Sequence, residues 1–284
     1  MWQRVLPLAL LWAIVPTFVE AQSYAFSTLD YPGATLTNPN AINSAGVVTG
    51  SYVDGASTTH GFVYFNNGTF VAFDVPNAKF TALTGINKHG VICGNFADTA
   101  THGFVWEKGQ FTQVDFPGAT STSVNGIADT GALGGSYVDS QNNLHGFVRH
   151  GQNGYKTMDF PGASETSVNS INKLNQLTGQ TSPPFISAFL FSSQQWLDFY
   201  YPGAFTTTGD GINNLGQTVG IWNPQDPTQP QQGFLRNADG SFQAINLPGS
   251  SGSAALGIND LGVVVGSYSD STGVSHGFIA RPSH

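Results

Sequence analysis

Along this chain, short runs of alternating hydrophobic and polar residues are closed again and again by glycine-bearing turns. The stretch 79–116 shows the unit most clearly. Lys79–Asn87 is rich in strand formers, Lys88-His89-Gly90 closes a tight turn, and Val91–Phe96 alternates again. A polar loop at Asp98–Thr101, a short run His102–Trp106, a hairpin turn Glu107-Lys108-Gly109 and a last run Phe111–Phe116 complete it. Such runs, bounded by Gly and Asn, predict four strands in an antiparallel meander, with almost no helical periodicity to compete. Pro117-Gly118 then turns the corner: Pro presets φ near −65° and Gly accepts the positive φ of a type II turn. Val91, Ile92 and Cys93 are apolar in succession. A sheet with two apolar faces suits burial between neighbouring sheets.

The unit is written six times. Its corner recurs at Pro32-Gly33, Pro76-Asn77, Pro117-Gly118, Pro161-Gly162, Pro202-Gly203 and Pro248-Gly249, at intervals of 41 to 46 residues. An Ile-Asn pair follows each corner, at Ile42, Ile86, Ile171, Ile212 and Ile258, with Ile127-Ala128 as the exception. His-Gly-Phe, or a worn form of it, comes next at His60, His102, His145, Ser187, Gln232 and His276. A period near 42 residues is that of a four-stranded propeller blade. A parallel β-helix is the competing architecture, but its coils are shorter and its open ends need caps. Here the ends are complementary instead. Tyr24–Asp30 reads as a lone fourth strand, and Phe278–Arg281 as a third strand with no hairpin after it. The chain is therefore expected to be all-β, a six-bladed β-propeller in which the N-terminal strand completes the last blade.

Within a hairpin, the start of strand three faces the end of strand four. That predicts His60–Asp74, His102–Asp115 and His145–Asp159 pairs, with His276 finding Asp30 only if the ring closes. Where His gives way to Gln232, the matching Asp is Asn246; where it gives way to Ser187, Tyr200 stands at the Asp position. The innermost strands should line the channel with Asn40, Thr84, Asn125, Asn169 and Asp210, Leu256 being the exception.

These units resemble the bacterial extracellular repeat family known as the HAF repeat, after its His-Ala-Phe tripeptide. The resemblance rests on His-Gly-Phe-Val at 60, 102 and 145 and on Ile258–Gly266, and it extends over nearly all of residues 22–284. Gly replaces the central Ala in the His-Gly-Phe copies, and blades four and five depart from the tripeptide, with Ser187 and Gln232 in place of His. The resemblance implies a secreted repeat protein, with no defined activity and no catalytic residue to carry over.

Residues 1–21 fit that implication. Arg4 precedes an apolar stretch, Val5–Phe18, and Val19-Glu20-Ala21 forms a cleavage site before Gln22. The stretch is too short, and too interrupted by Pro7 and Pro16, to span a bilayer, so a signal peptide over 1–21 and one propeller domain over 22–284 are expected. Secretion to the extracellular space or periplasm follows, with no membrane insertion after cleavage. Cys93 is the single cysteine, so no intrachain disulfide can form. Only 9% of residues are charged and the net charge is −8, a surface that repels nucleic acid and anionic lipid. A monomer is expected.

Chemistry is sparse. No nucleophile elbow, zinc motif or phosphate loop occurs. The His residues are dispersed one per blade, and Asp54, Asp98, Asp139 and Asp270 read as turn caps rather than calcium ligands, so neither metal nor cofactor is expected. Glu107 and Glu165 are the only glutamates after residue 21. Glu165 and Asp210, from first strands of adjacent blades, form the one carboxylate pair for an enzyme of glycoside hydrolase or lyase type. A binding or scaffolding module for an extracellular glycan or protein is the preferred reading. Blades four and five lose the His–Asp pair together and carry the two most irregular loops, Thr181–Ser187 and Trp222–Gln232. A ligand is expected there, on the face of the Pro-Gly corners, with Trp222 and Tyr200 as contacts and Glu165 or Asp210 as anchors.

Overall fold

The computed structural model describes residues 23–182 and 186–283. The expected signal peptide and the Pro183-Pro184 dipeptide lie outside the described residues. The chain forms six four-stranded antiparallel sheets, and no helix occurs among the described residues. Blade one is Leu36–Ile42, Val48–Val53, Thr59–Tyr64 and Phe70–Phe73, from the axis outward, and the next four blades repeat it. Blade six takes Gly252–Ile258, Val264–Ser269 and Ser275–Ser283 from the C-terminal end and Ser23–Thr28 from the N-terminal end. The closing strand pairs antiparallel in continuous register, from Ser23 opposite Ser283 to Thr28 opposite Phe278. The six-bladed β-propeller read from the sequence is the fold.

Each repeated residue has a packing task. The Phe of His-Gly-Phe is wholly buried in every blade, at Phe62, Phe104, Phe147, Phe189, Phe234 and Phe278. It lies against a glycine of the second strand, at Gly50, Gly94, Gly135, Gly179, Gly220 and Gly266, whose missing Cβ leaves room for the ring. The Gly of the tripeptide opens space toward the next blade: a Cβ on Gly103 would stand 2.4 Å from Val124, and one on Gly61 would stand 3.0 Å from Leu83. In blade four the sizes are exchanged, with Ala188 at the glycine position and Gly209 where the next innermost strand elsewhere carries Leu83, Val124 or Val168. The core therefore lies between blades as well as within them, as in the cluster that joins Val148 and Met158 to Val168 and Ile171.

The asparagine of Ile-Asn works on both sides of its turn. Asn43 accepts the backbone N–H groups of Ala45 and Val47 on Oδ1 and donates from Nδ2 to the carbonyl of Asn87 in the next blade. The same donation runs from Asn87 to Ala128, from Asn172 to Asn213, from Asn213 to Asn259, and from Asn259 back to Asn43. Ala128 is the single gap in this ring. The ring crosses the closure between blades six and one without interruption.

Candidate functional site

Around the axis, every innermost strand breaks its ladder at one matching residue, and that of blade five breaks a second time between Ala204 and Thr206. The register shifts across Asn40, Thr84, Asn125, Asn169, Asp210 and Leu256. A bulge re-aims the side chain of the extra residue, and here it places Asn40, Thr84, Asn125 and Asp210 along the channel, while Asn169, also expected there, is turned to the neighbouring strand and does not line the chamber. Asn40 donates to the Leu83 carbonyl at 2.9 Å, Thr84 to Val124 at 2.7 Å, Asn125 to Val168 at 3.0 Å and Asn169 to Gly209 at 3.0 Å. The collar is thus a second set of blade-to-blade hydrogen bonds.

Asp210 is the acid in that collar. It receives hydrogen bonds from Thr208 at 3.0 Å and Asn169 at 3.4 Å, yet burial pushes its carboxyl up to about 7. A carboxyl raised on folding keeps its proton when the unfolded chain has lost it, so stability falls as the pH climbs from about 4 to about 7. Asn already fills this position in blades one, three and four. Asp210→Asn is therefore expected to leave stability nearly unchanged at pH 4 and to raise it by about 2–4 kcal/mol at pH 8, because each tenfold change in proton affinity is worth about 1.4 kcal/mol. Urea melts at the two pH values check this; an equal change at both would place the cost elsewhere.

Six isoleucines, Ile42, Ile86, Ile127, Ile171, Ile212 and Ile258, constrict the channel and separate two chambers of about 70 Å³ each. Ligand pockets run to roughly 300–1,000 Å³, so these chambers suit water rather than a sugar. The chamber beyond the isoleucines carries Asp129, Asn214 and Asp260, with Asn214 Nδ2 donating to both carboxylates at 3.2 and 2.8 Å.

The four histidines are held as the hairpin argument requires. His60 Nδ1 meets Asp74 at 3.0 Å, His102 meets Asp115 at 3.0 Å, His145 meets Asp159 at 2.9 Å, and His276 meets Asp30 at 2.7 Å. Sequence reasoning missed the other half of each arrangement. The turn-capping aspartate of the second loop also reaches Nε2: Asp54 at 3.3 Å, Asp98 at 3.3 Å, Asp139 at 3.4 Å and Asp270 at 3.5 Å. The constant spacing of Asp54 to His60, Asp139 to His145 and Asp270 to His276 was the available signal. Burial pulls the His60, His102 and His145 imidazoles down, but their two carboxylates outweigh it and the net shift is upward. For His276 the Asp30 hydrogen bond leads, and the shift is again upward. A histidine raised on folding stabilises the protein below its unfolded value near 6.5 and loses that contribution as the pH rises through the folded value. Among the described residues, no three His, Cys, Asp or Glu side chains converge to hold a metal ion.

The four residues expected at a ligand site separate. Trp222 lies within the second strand of blade five, opposite Gln232, rather than in the loop. Its ring stacks on Tyr201 at 4.4 Å, as Tyr52 stacks on Tyr31 and Tyr137 on Phe116, so it holds a structural place of the repeat. Tyr200 is exposed at the corner, with Ile186 and Phe205 exposed on the same face of blades four and five. Glu165 is exposed at the start of its strand, opposite Ser182. Asp210 belongs to the channel, whose chamber Glu165 does not line. The structure does not bring these two carboxylates together, because Glu165 opens its strand while Asp210 lies at the bulge near the end of its own.

No family model matches the chain, and no curated protein matches it. Among solved structures it is similar to AofleA from Arthrobotrys oligospora, at 13% identity and a TM-score of 0.56 over 91% of this chain and 87% of that one. It is similar to the SapL1 lectin, solved in complex with alpha methyl fucoside, at 11% identity and a TM-score of 0.57 over 88% and 94%. A gluconolactonase, XC5397 from Xanthomonas campestris, matches at 13% identity and a TM-score of 0.56 over 93% and 91%. At such identities the likeness is one of fold.

Proposed function

We propose that this protein is a secreted binding module of the HAF-repeat type, which presents the corner face of blades four and five to an extracellular glycan or protein. The separation of Glu165 from Asp210 carries the choice of binding over hydrolysis or lysis. Acid–base cleavage of a glycosidic bond needs two carboxyl groups flanking one bond. The corner face offers instead the exposed side chains Ile186, Tyr200 and Phe205, and aromatic rings give contact area at low entropic cost. The SapL1 propeller takes a fucoside, so a ring of this build can present a glycan. Residues 1–21 would direct the chain out of the cytoplasm, and a monomer is proposed.

Residues 22–284 should be applied to a glycan array and a polysaccharide pull-down, beside a hydrolysis assay on the captured polymers. Tyr200→Ala is expected to weaken capture by about 1–3 kcal/mol with no change in melting temperature, as for loss of an exposed anchor. Trp222→Ala is expected to lower the melting temperature through Tyr201. Shortened polymer chains in the hydrolysis assay would overturn the binding reading, and unchanged capture by Tyr200→Ala would move the site.

A further inference from the structure

The third strand of blade three, Leu144–His150, carries next to its end a buried arginine that the repeat does not explain. At this position the other blades carry Tyr64, Trp106, Phe191, Arg236 and Ala280. Arg149 is only 7% exposed, and its Nε is out of solvent with no hydrogen-bond partner. No ion pair to its guanidinium exists among the described residues; the one Lys or Arg pair joins Lys108 to Glu107 at 3.3 Å. Arg149 lies over the Tyr155 ring at 5.7 Å and lines a cleft of about 360 Å³ between the outer hairpins of blades two and three. Val105, Glu107, Lys108, Gln110, Thr112 and Gln152 line the rest.

Blade five shows how the fold otherwise handles the same residue. Arg236 occupies the equivalent position, over the Phe199 ring at 4.9 Å; its Nε is likewise out of solvent without a partner, and the negative charge of Asp239 acts on it without forming an ion pair. Asp239 stands three residues after Arg236, and three residues after Arg149 stands Gln152. Blade five thus keeps a carboxylate near its guanidinium, whereas blade three has none at the matching position and sets its guanidinium beside an open cleft. Only Nε of this guanidinium is out of solvent without a partner, so its terminal fork can meet an anion that enters the cleft. With Lys108 already matched to Glu107, the uncompensated charge is that of Arg149 alone. A guanidinium fork fits a planar carboxylate bidentately.

The geometry points to a binding site for a monoanionic sugar in this cleft, a uronic acid whose carboxylate meets Arg149 and whose hydroxyls meet Gln110, Thr112 and Gln152. Its volume falls within the usual range of small-molecule sites. The site is separate from the corner face and stands whether or not that face binds.

Titration calorimetry at low salt should use D-glucuronate, with D-glucose, acetate and glucose 6-sulfate as comparisons. Glucuronate is expected to bind at least tenfold more tightly than each of the three. Arg149→Met should weaken glucuronate at least tenfold. Gln152→Asp, which gives blade three the internal counter-charge of blade five, should do the same while keeping or raising the melting temperature. Arg236→Met and Tyr200→Ala should leave glucuronate affinity unchanged, which separates this site from the corner face. Equal affinity for glucuronate and glucose, or full binding by a folded Gln152→Asp variant, would overturn the site. Tighter binding of glucose 6-sulfate would overturn the carboxylate as its ligand.

Discussion

Deleting residues 23–30 is expected to cost this propeller most of its stability, although it removes only one strand of blade six. That strand brings Tyr24 and Phe26 against the blade-six core and Leu29, 4% exposed, into the seam with blade one. Phe26 meets Phe278 edge-on at 5.6 Å, and Leu29 N–H donates to the Gly277 carbonyl at 2.8 Å. At about 1.5–3 kcal/mol for a fully buried large side chain, and less for the two that are partly covered, the loss is about 4–6 kcal/mol before the backbone ladder is counted. Whole domains are stable by about 5–15 kcal/mol. A fall of at least about 10 °C in the melting temperature is expected, with loss of a single cooperative transition. Asp30→Ala should show the same weakness on a smaller scale, since Asp30 accepts from both His276 Nδ1 and the Gly277 N–H. About 1–3 kcal/mol is expected there, as for hydrogen bonds to a charged group, against almost none for the loop substitution Asp226→Ala. Calorimetric scans of the three variants decide it; equal melting temperatures would mean that the ring does not depend on its closing strand.

Gly179→Ala is expected to cost about 3–5 kcal/mol, more than most single substitutions. A Cβ at Gly179 would stand 1.9 Å from the Ser167 carbonyl oxygen and 2.9 Å from the Phe189 ring. Neither neighbour can retreat cheaply: the first is backbone of the innermost strand, and the second is wholly buried. Overpacking a filled core forces backbone shifts. Gly55→Ala is the control, because nothing lies within 4 Å of the Cβ it would add. Urea denaturation should show a large fall in midpoint for Gly179→Ala and almost none for Gly55→Ala. Comparable small changes would mean that the second strand has room to move and that ring and glycine are not fitted to one another.

The ring was legible because repetition compares the chain with itself. Six repeats, each carrying Pro-Gly, Ile-Asn and His-Gly-Phe or a worn form of them, marked out the blade and its strands, and two unfinished ends marked out the closure. The His–Asp partners were legible because an antiparallel hairpin fixes which residues are opposite. The channel residues could be named, but not why they turn inward, since a bulge is a register event between strands and leaves no mark in either strand alone. Trp222 misleads for a related reason. Its neighbours Pro224 and Gln225 suggest a loop, whereas pairing with Gln232 extends the strand and Tyr201 covers the ring.

By itself the sequence determined the architecture: strand length, turn chemistry and a period near 42 residues are local properties, and six such units can bury their two apolar faces only against one another. The tertiary structure alone decided where charge is matched. Glu165 and Asp210 look adjacent along neighbouring strands, yet one is exposed at a strand's start and the other sits in the channel with its carboxyl raised to about 7. Arg149 and Arg236 look alike in the repeat, yet Asp239 acts on only one of them, while the other faces a cleft that exists only between two blades. Burial and charge pairing depend on which surfaces meet across the ring, and no single repeat contains that information.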